Sequence, residues 1–322
     1  MLTILFLFKR LRKSITLFLT CIIFITSLFI QTAVASSKIL ITINQFVNHP
    51  ALDDAKFGIE AALKDRLLLP ERVEIKFGSA QGNIANAVQI AQYHASLDPA
   101  FMVAIATPSA QASLRARNNS TLAFLAVTDP IAAGFEHINN IIGVSDAPDI
   151  SRLLDIAKEL LKFQTIGVIF NPGESNSVQT VEMLKKLAAT SGIKVQQVAI
   201  NSSADVKVAT QKLIGQVELI YLPKDNLVVS ALDNLIQVTS KAKVPVIAND
   251  PSLMTKGLLL AYGCDYFESG KQLGNMIADL VEGKELATKI QSAKINKLQI
   301  NHKVAAALNI HIPKELELQE TP

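Results

Sequence analysis

The sequence predicts an α/β protein made of two lobes, each a parallel sheet covered by helices. Three observations carry that expectation. Short apolar runs alternate with helical patterns almost to the end of the chain, as in sheets covered on both faces. The alternation restarts near Val144, giving two series of similar length. Each series also ends a late apolar strand in an Asp-Pro turn, "AVTDP" at Thr128-Asp129-Pro130 and "IANDP" at Asn249-Asp250-Pro251.

In order, "KILITINQF" reads as a strand and "PALDDAKFGIEAALKDR" as a helix with Pro50 near its start. "VEIKFG" and "FMVAIA" are strands, each followed by a helix, "NIANAVQIAQYHA" and "PSAQASLRAR"; "LAFLAV" is the next strand. After "IIGVSDAP" come the helix "ISRLLDIAKELLK", the strand "TIGVIF" and the helix "SVQTVEMLKKLAATSG", with Gly192 as its C′ residue. "KVQQVAI", "DVKVATQKLI", "LIYLP", "LVVSALDNLIQVTSKA" and "VPVIA" continue the pattern. Ligands of open parallel sheets bind outside the carboxyl ends of the strands. If the lobes face each other by those ends, both Asp-Pro turns line one cleft.

The N-terminus reads as an export signal: Lys9, Arg10, Arg12 and Lys13, then "ITLFLTCIIFITSLFI", then "AVASS". Cleavage is expected after Ala35, with a retained membrane anchor as the alternative. Phe18-Leu19-Thr20 before Cys21 is a poor lipid-attachment signal. The full sequence has 31 basic and 28 acidic residues and a net charge of +3; without residues 1–35 it has 27 basic residues and a net charge of −1. Such a body lacks the basic footprint of a nucleic-acid binder. One cysteine, Cys264, remains, so no internal disulfide is expected.

Several chemistries are missing. No G-x-G-x-x-G follows the first strand, Gly263 to Lys271 has the wrong spacing for a P-loop, and "NPGESNSV" lacks the second glycine of a nucleophile elbow. His49, His94, His137, His302 and His311 show no metal-ligand spacing. Neither a catalytic set nor a cofactor is expected. Small polar groups at strand ends remain. Thr107, Ser109 and Ala110 open a helix whose free N–H groups suit a carboxylate. Ser175, Asn176 and Ser177 open another, as caps or as an anion cradle. Asp225 and Asn226 follow "LIYLP", where Asp225 either caps a helix or meets an ammonium group. Thr128, Asp129 and Asp250 sit at the Asp-Pro turns, which pin their loops. His49 follows the first strand; with Phe46, Tyr221 and Tyr262 it could line a side-chain pocket.

The segments "HPALDDAKFG", "ATPSAQAS", "AVTDPIAAG", "GVSDAPD", "IGVIFNPGESNS", "YLPKDN", "VPVIANDP" and "LQINHKVAAALNI" occur in order over nearly the whole chain. On them the chain resembles ABC-transporter substrate-binding proteins of the periplasmic type I class, in the branch related to tryptophan- and tyrosine-binding proteins. The resemblance implies two Rossmann-like lobes joined by a three-strand hinge: 36–145 with 256–290, and 146–255 with 291–322. It implies a periplasmic monomer that delivers a small ligand, such as an aromatic amino acid, to an ABC permease driven by a cytoplasmic ATPase. It also implies that Thr107, Ser109, Thr128 and Asp129 from one lobe face Ser175, Ser177, Asp225 and Asp250 from the other. A sensor feeding a membrane receptor and an exported α/β enzyme remain as alternatives.

Overall fold

The computed structural model describes residues 38–319; the expected leader, 1–35, lies outside the described residues. Two six-stranded sheets organise the chain. The first contains β1 (Ile39–Gln45), β2 (Val73–Ser79), β3 (Phe101–Ile105), β4 (Thr121–Val127), β5 (Ile141–Ser145) and β11 (Ile290–Ser292), in the order β11-β5-β4-β3-β1-β2. All its pairings are parallel. The second contains β6 (Thr165–Phe170), β7 (Lys194–Ala199), β8 (Leu219–Leu222), β9 (Val246–Ala248), β10 (Leu260–Cys264) and β12 (Asn296–Ile300), in the order β12-β10-β9-β8-β6-β7. There only β12 runs antiparallel, against β10. β3 and β5 are buried at every residue, as interior parallel strands must be, whereas β7 at an edge is largely exposed.

The chain passes between the sheets three times: after β5, at Asp265 after β10, and between β11 and β12. Backbone hydrogen bonds bundle these crossings. Ala293 N–H donates to Ser145 O at 2.9 Å, and Asp265 N–H to Ile295 O at 3.0 Å. The boundaries differ from those the resemblance implies: 256–290 is expected in the first lobe, but β10 lies in the second sheet, and β11 extends the first sheet to Ser292. Leu260 and Ala261 register with Ile247 and Ala248 on one side, and Leu260 faces Ile300 on the other. An apolar strand buried between two neighbours belongs inside a sheet, so the return to the first lobe starts only at Asp265.

That return is the helix Tyr266–Val281, capped by Asp265, whose carboxylate accepts from Glu268 N–H at 3.0 Å. It lies against Pro50–Asp65, the first helix, at backbone distance. A Cβ on Gly58 would fall 2.1 Å from Phe267 O, and one on Gly270 would fall 2.2 Å from Ala55 O. The glycines let the two helices meet without intervening side chains.

Two local features refine the sequence reading. Gly192, at φ +69°, follows the helix Ser175–Thr190 as expected for a C′ glycine, and Ile193 N–H closes back on Ala188 O at 2.9 Å. The segment "LVVSALDNLIQVTSKA" divides into Asn226–Ser230 and Leu232–Ala242. Ser230 Oγ bonds back to Leu227 O at 2.7 Å, and Ala231 N–H closes on Val228 O, so the first turn tightens and stops.

Candidate functional site

The carboxyl ends of both sheets enclose a cavity of about 30 Å³. The first lobe supplies His49, Leu52, Ala106, Ala126 and Thr128; the hinge supplies Asp146 and Tyr266. The second lobe supplies Asn176, Leu222 to Asn226, Val229, Ala248 to Asp250 and Leu253. Such a volume is on the order of one water molecule, so anything larger enters only if the lobes part. Ala106 (φ 80°, ψ 150°) and Ala126 (φ 56°) hold positive-φ backbone at the ends of β3 and β4. For residues other than glycine this costs about 1–3 kcal/mol each and tends to concentrate at working sites.

The second-lobe wall is a buried carboxylate network. Asp225 caps Asn226–Ser230, with Oδ1 accepting from Val228 N–H at 2.9 Å. Its Oδ2 accepts from Ser177 Oγ at 2.6 Å and from Asn171 N–H. Glu174, fully buried, accepts from Asn226 N–H (3.1 Å), Asn226 Nδ2 (2.6 Å) and Leu227 N–H (3.1 Å). Burial, with the nearby Asp225 charge, pushes the Glu174 carboxyl up to about 7, against the pull of those donors. Asn226 extends the network across the cleft, because its Oδ1 lies 3.3 Å from His49 Nε2. Burial lowers the His49 pKa even though Asp250 acts to raise it, which leaves the ring neutral.

A second cluster occupies the hinge. Lys224 Nζ reaches Asp146 Oδ2 at 2.7 Å, Asp146 O at 2.8 Å and the Tyr266 hydroxyl at 2.9 Å. The Tyr266 hydroxyl itself donates to Asp146 Oδ2 at 2.6 Å. Burial pulls the Lys224 pKa down, but the Asp146 charge and hydrogen bond, together with nearby Cys264 and Asp250, outweigh it and raise the pKa, so the ammonium form is favoured. One ion pair thus joins the end of β8, the first crossing and the start of the returning helix.

The structure brings together His49, Thr128, Asn176, Asp225, Asn226 and Asp250 around the cavity. The other sequence candidates stand apart. Thr107 is buried next to Ala106 but does not line the cavity. Ser109 is buried and donates to Asn44 Oδ1 at 3.2 Å. Ala110 packs in an apolar cluster with Phe124 and Phe135. Asp129 is exposed and caps its own turn, accepting from Ile131 and Ala132 N–H at 3.0 Å. Ser175 is half-buried at its helix start, and Ser177 is committed to Asp225. Tyr221 donates its hydroxyl to Asn249 Oδ1 at 2.9 Å, Tyr262 packs on the second core and Phe46 lies in the first. Sequence reasoning missed Asp146, Glu174, Lys224 and Tyr266. Asp146 follows β5 directly and Lys224 stands two residues past the end of β8, the same strand-end signal that singled out Asp225.

Asp225 makes so many bonds within its own lobe that Asp225→Ala is expected to act chiefly on folding. It removes a cap, at about 1 kcal/mol, and strands the buried Ser177 hydroxyl and Asn171 N–H, at about 1–3 kcal/mol. Urea unfolding should register a loss of about 2–4 kcal/mol; an unchanged midpoint would show that these bonds contribute nothing.

Among the described residues, no cluster of His, Cys, Asp and Glu could hold a metal ion, and no helix is long and apolar enough to cross a membrane. The family model for "ABC transporter substrate binding protein" matches residues 40–321. The chain is 34% identical over 253 residues to a tyrosine-binding protein of Clostridioides difficile, covering 76% of this chain and 73% of that one. It aligns with an ABC domain from Streptococcus pneumoniae solved in complex with L-Trp, at 27% identity and a TM-score of 0.84, over 88% of this chain and 99% of that one. It aligns less well with the ligand-free, open structure of a substrate-binding protein with adhesive properties from Clostridium difficile: the TM-score is 0.65 at 31% identity, over 85% and 96% of the two chains. The nearer sequence gives the poorer overlay, so the lobes here stand closer to the arrangement of the L-Trp complex than to the open one. The chain belongs to the ABC transporter substrate-binding protein family.

Proposed function

We propose that this protein is an extracytoplasmic solute-binding protein that captures an amino acid, with aromatic side chains favoured, between its lobes and hands it to an ABC permease. The observation that carries this reading is the cavity itself: each lobe forms one wall, and the hinge forms its floor. Binding at such a place links occupancy to hinge closure, which a permease can read. The names of the relatives, a tyrosine-binding protein and an L-Trp complex, support the aromatic preference. In the proposed site His49, Thr128, Asn176, Asn226 and Asp250 surround the ligand. The leader delivers the chain to the periplasm, where it works as a monomer and performs no chemistry on its cargo.

The test is a thermal-shift screen of the twenty standard L-amino acids, followed by small-angle scattering with the strongest hit. A ligand at 100 times its Kd should add about 2.7 kcal/mol to the folded state and reduce the radius of gyration. A screen without any shift overturns the ligand class, and a tight ligand without compaction overturns closure.

A further inference from the structure

A buried side-chain hydrogen bond joins the two lobes directly. His49 follows β1 of the first sheet and Asn226 follows β8 of the second, 177 residues apart, and their side chains meet at 3.3 Å. His49 occupies the N-cap position of the helix Pro50–Asp65, yet its side chain makes no capping bond. Side chains at that position usually turn back to an N–H of the first turn. This one is spent on the opposite lobe instead.

The neighbours fix the sense of that bond. Asn226 Nδ2 donates to Glu174 Oε2 at 2.6 Å, so the amide presents Oδ1, and His49 Nε2 carries the proton. Nδ1 is buried without a partner, so a second proton on the ring has no acceptor while the lobes are together. The helix N-terminus at which the ring stands also disfavours a positive charge. Two carboxylates act the other way, Asp250 after β9 and Asp53 on the ring's own helix; burial outweighs them and holds the His49 pKa below its ordinary 6.5. Asp225, Asp146 and Lys224 line the same cavity but are held by bonds of their own, Asp225 to Ser177, and Asp146 to Lys224 and Tyr266. Glu174 reaches the ring only through Asn226.

We propose that the His49–Asn226 contact is a latch that holds the cleft shut at neutral pH and releases it in acid. Parting the lobes breaks the bond and returns the ring to water, so the open form takes up a proton that the shut form refuses. As pH falls below the ordinary histidine range, near 6.5, the open form therefore gains by up to about tenfold per pH unit. Above that range the ring is neutral in both forms and the bond acts alone. The device does not depend on which ligand the cleft takes: whatever the cargo, acid weakens the hold on it.

The experiment follows opening without any ligand. Dyes on Lys64→Cys and Lys185→Cys, one per lobe, report the distance by energy transfer, and the native Cys264 is buried. In the protein with His49 intact, the ratio of open to shut molecules should rise about tenfold from about pH 7.5 to about pH 5.5. His49→Gln keeps an N–H donor for Asn226 Oδ1 but cannot titrate, so its ratio should change by less than about twofold. His49→Ala removes the bond and should raise the ratio about fivefold at neutral pH, as loss of one hydrogen bond implies, with no further response to acid. A distance that ignores pH with His49 intact overturns the latch. So does a His49→Gln protein that keeps the full response, since Glu174 or Asp250 would then carry it. A His49→Ala protein no more open at neutral pH overturns it as well. Unfolding curves check both variants, and should one fold poorly the other decides. Because no ligand is added, the amino-acid reading stands or falls separately.

Discussion

Lys224→Met should lower the unfolding free energy by about 3–5 kcal/mol, the usual consequence of removing one partner from a buried ion pair. The Lys224 and Asp146 side chains are only 8% and 4% exposed, so solvent cannot take over the cation's part. The substitution leaves the Asp146 carboxylate with the Tyr266 hydroxyl alone, and the main-chain carbonyl of Asp146 also loses its donor. A methionine fills much of the volume, so the loss reports charge and hydrogen bonding more than packing. Urea unfolding at neutral pH measures it. Adding Asp146→Asn should recover at least about 1 kcal/mol, because the stranded charge is then gone and the two sites are in contact. A single variant that loses less than about 1 kcal/mol would show that the pair contributes little to holding the hinge.

Gly58→Ala should be comparably damaging although it adds one methyl group. The new carbon would lie 2.1 Å from Phe267 O, 2.8 Å from Lys271 N and 2.9 Å from Gly270 Cα. All three are backbone atoms, so no side chain can turn aside; the helices must separate. Overpacking costs about 1–3 kcal/mol in ordinary cores and more where nothing can give. Against this, alanine gains about 1 kcal/mol of helix propensity over glycine. A net loss of about 3 kcal/mol is expected, lowering Tm by roughly 5 °C at the sensitivity of a chain this size. Differential scanning calorimetry decides; a Tm unchanged or raised would mean that the two helices are not in backbone contact.

The fold was legible because it is written in local patterns. β3 and β5 are unbroken apolar runs, the helices carry apolar faces, and the restart after Val144 coincides with the first crossing. The place of β10 was not legible. "LLLAYGC" is as apolar as any interior strand, and only pairing with Ile247 and Ile300 assigns it to the second sheet. The site divides similarly. Strand-end position identified His49, Thr128, Asn176, Asp225, Asn226 and Asp250. It could not separate residues that turn inward from Asp129, whose carboxylate folds back on its own turn, or from Ser109, which is taken by Asn44. Lys224, Asp146 and Tyr266 are far apart in sequence and lack a shared motif. Their association exists only because the hinge crossings converge, and no window of residues contains that information.

The seam between the helices Pro50–Asp65 and Tyr266–Val281 has a consequence for how motion can be observed. With glycine against backbone at two levels, the pair has no compliant layer and translates as one object. A distance between reporter groups fixed on these two helices, for instance at Lys64 and Asn275, is therefore an internal ruler that stays constant whatever the cleft does. Moving the second reporter to Lys185, on the far lobe, converts the same measurement into a gauge of opening, calibrated within one molecule.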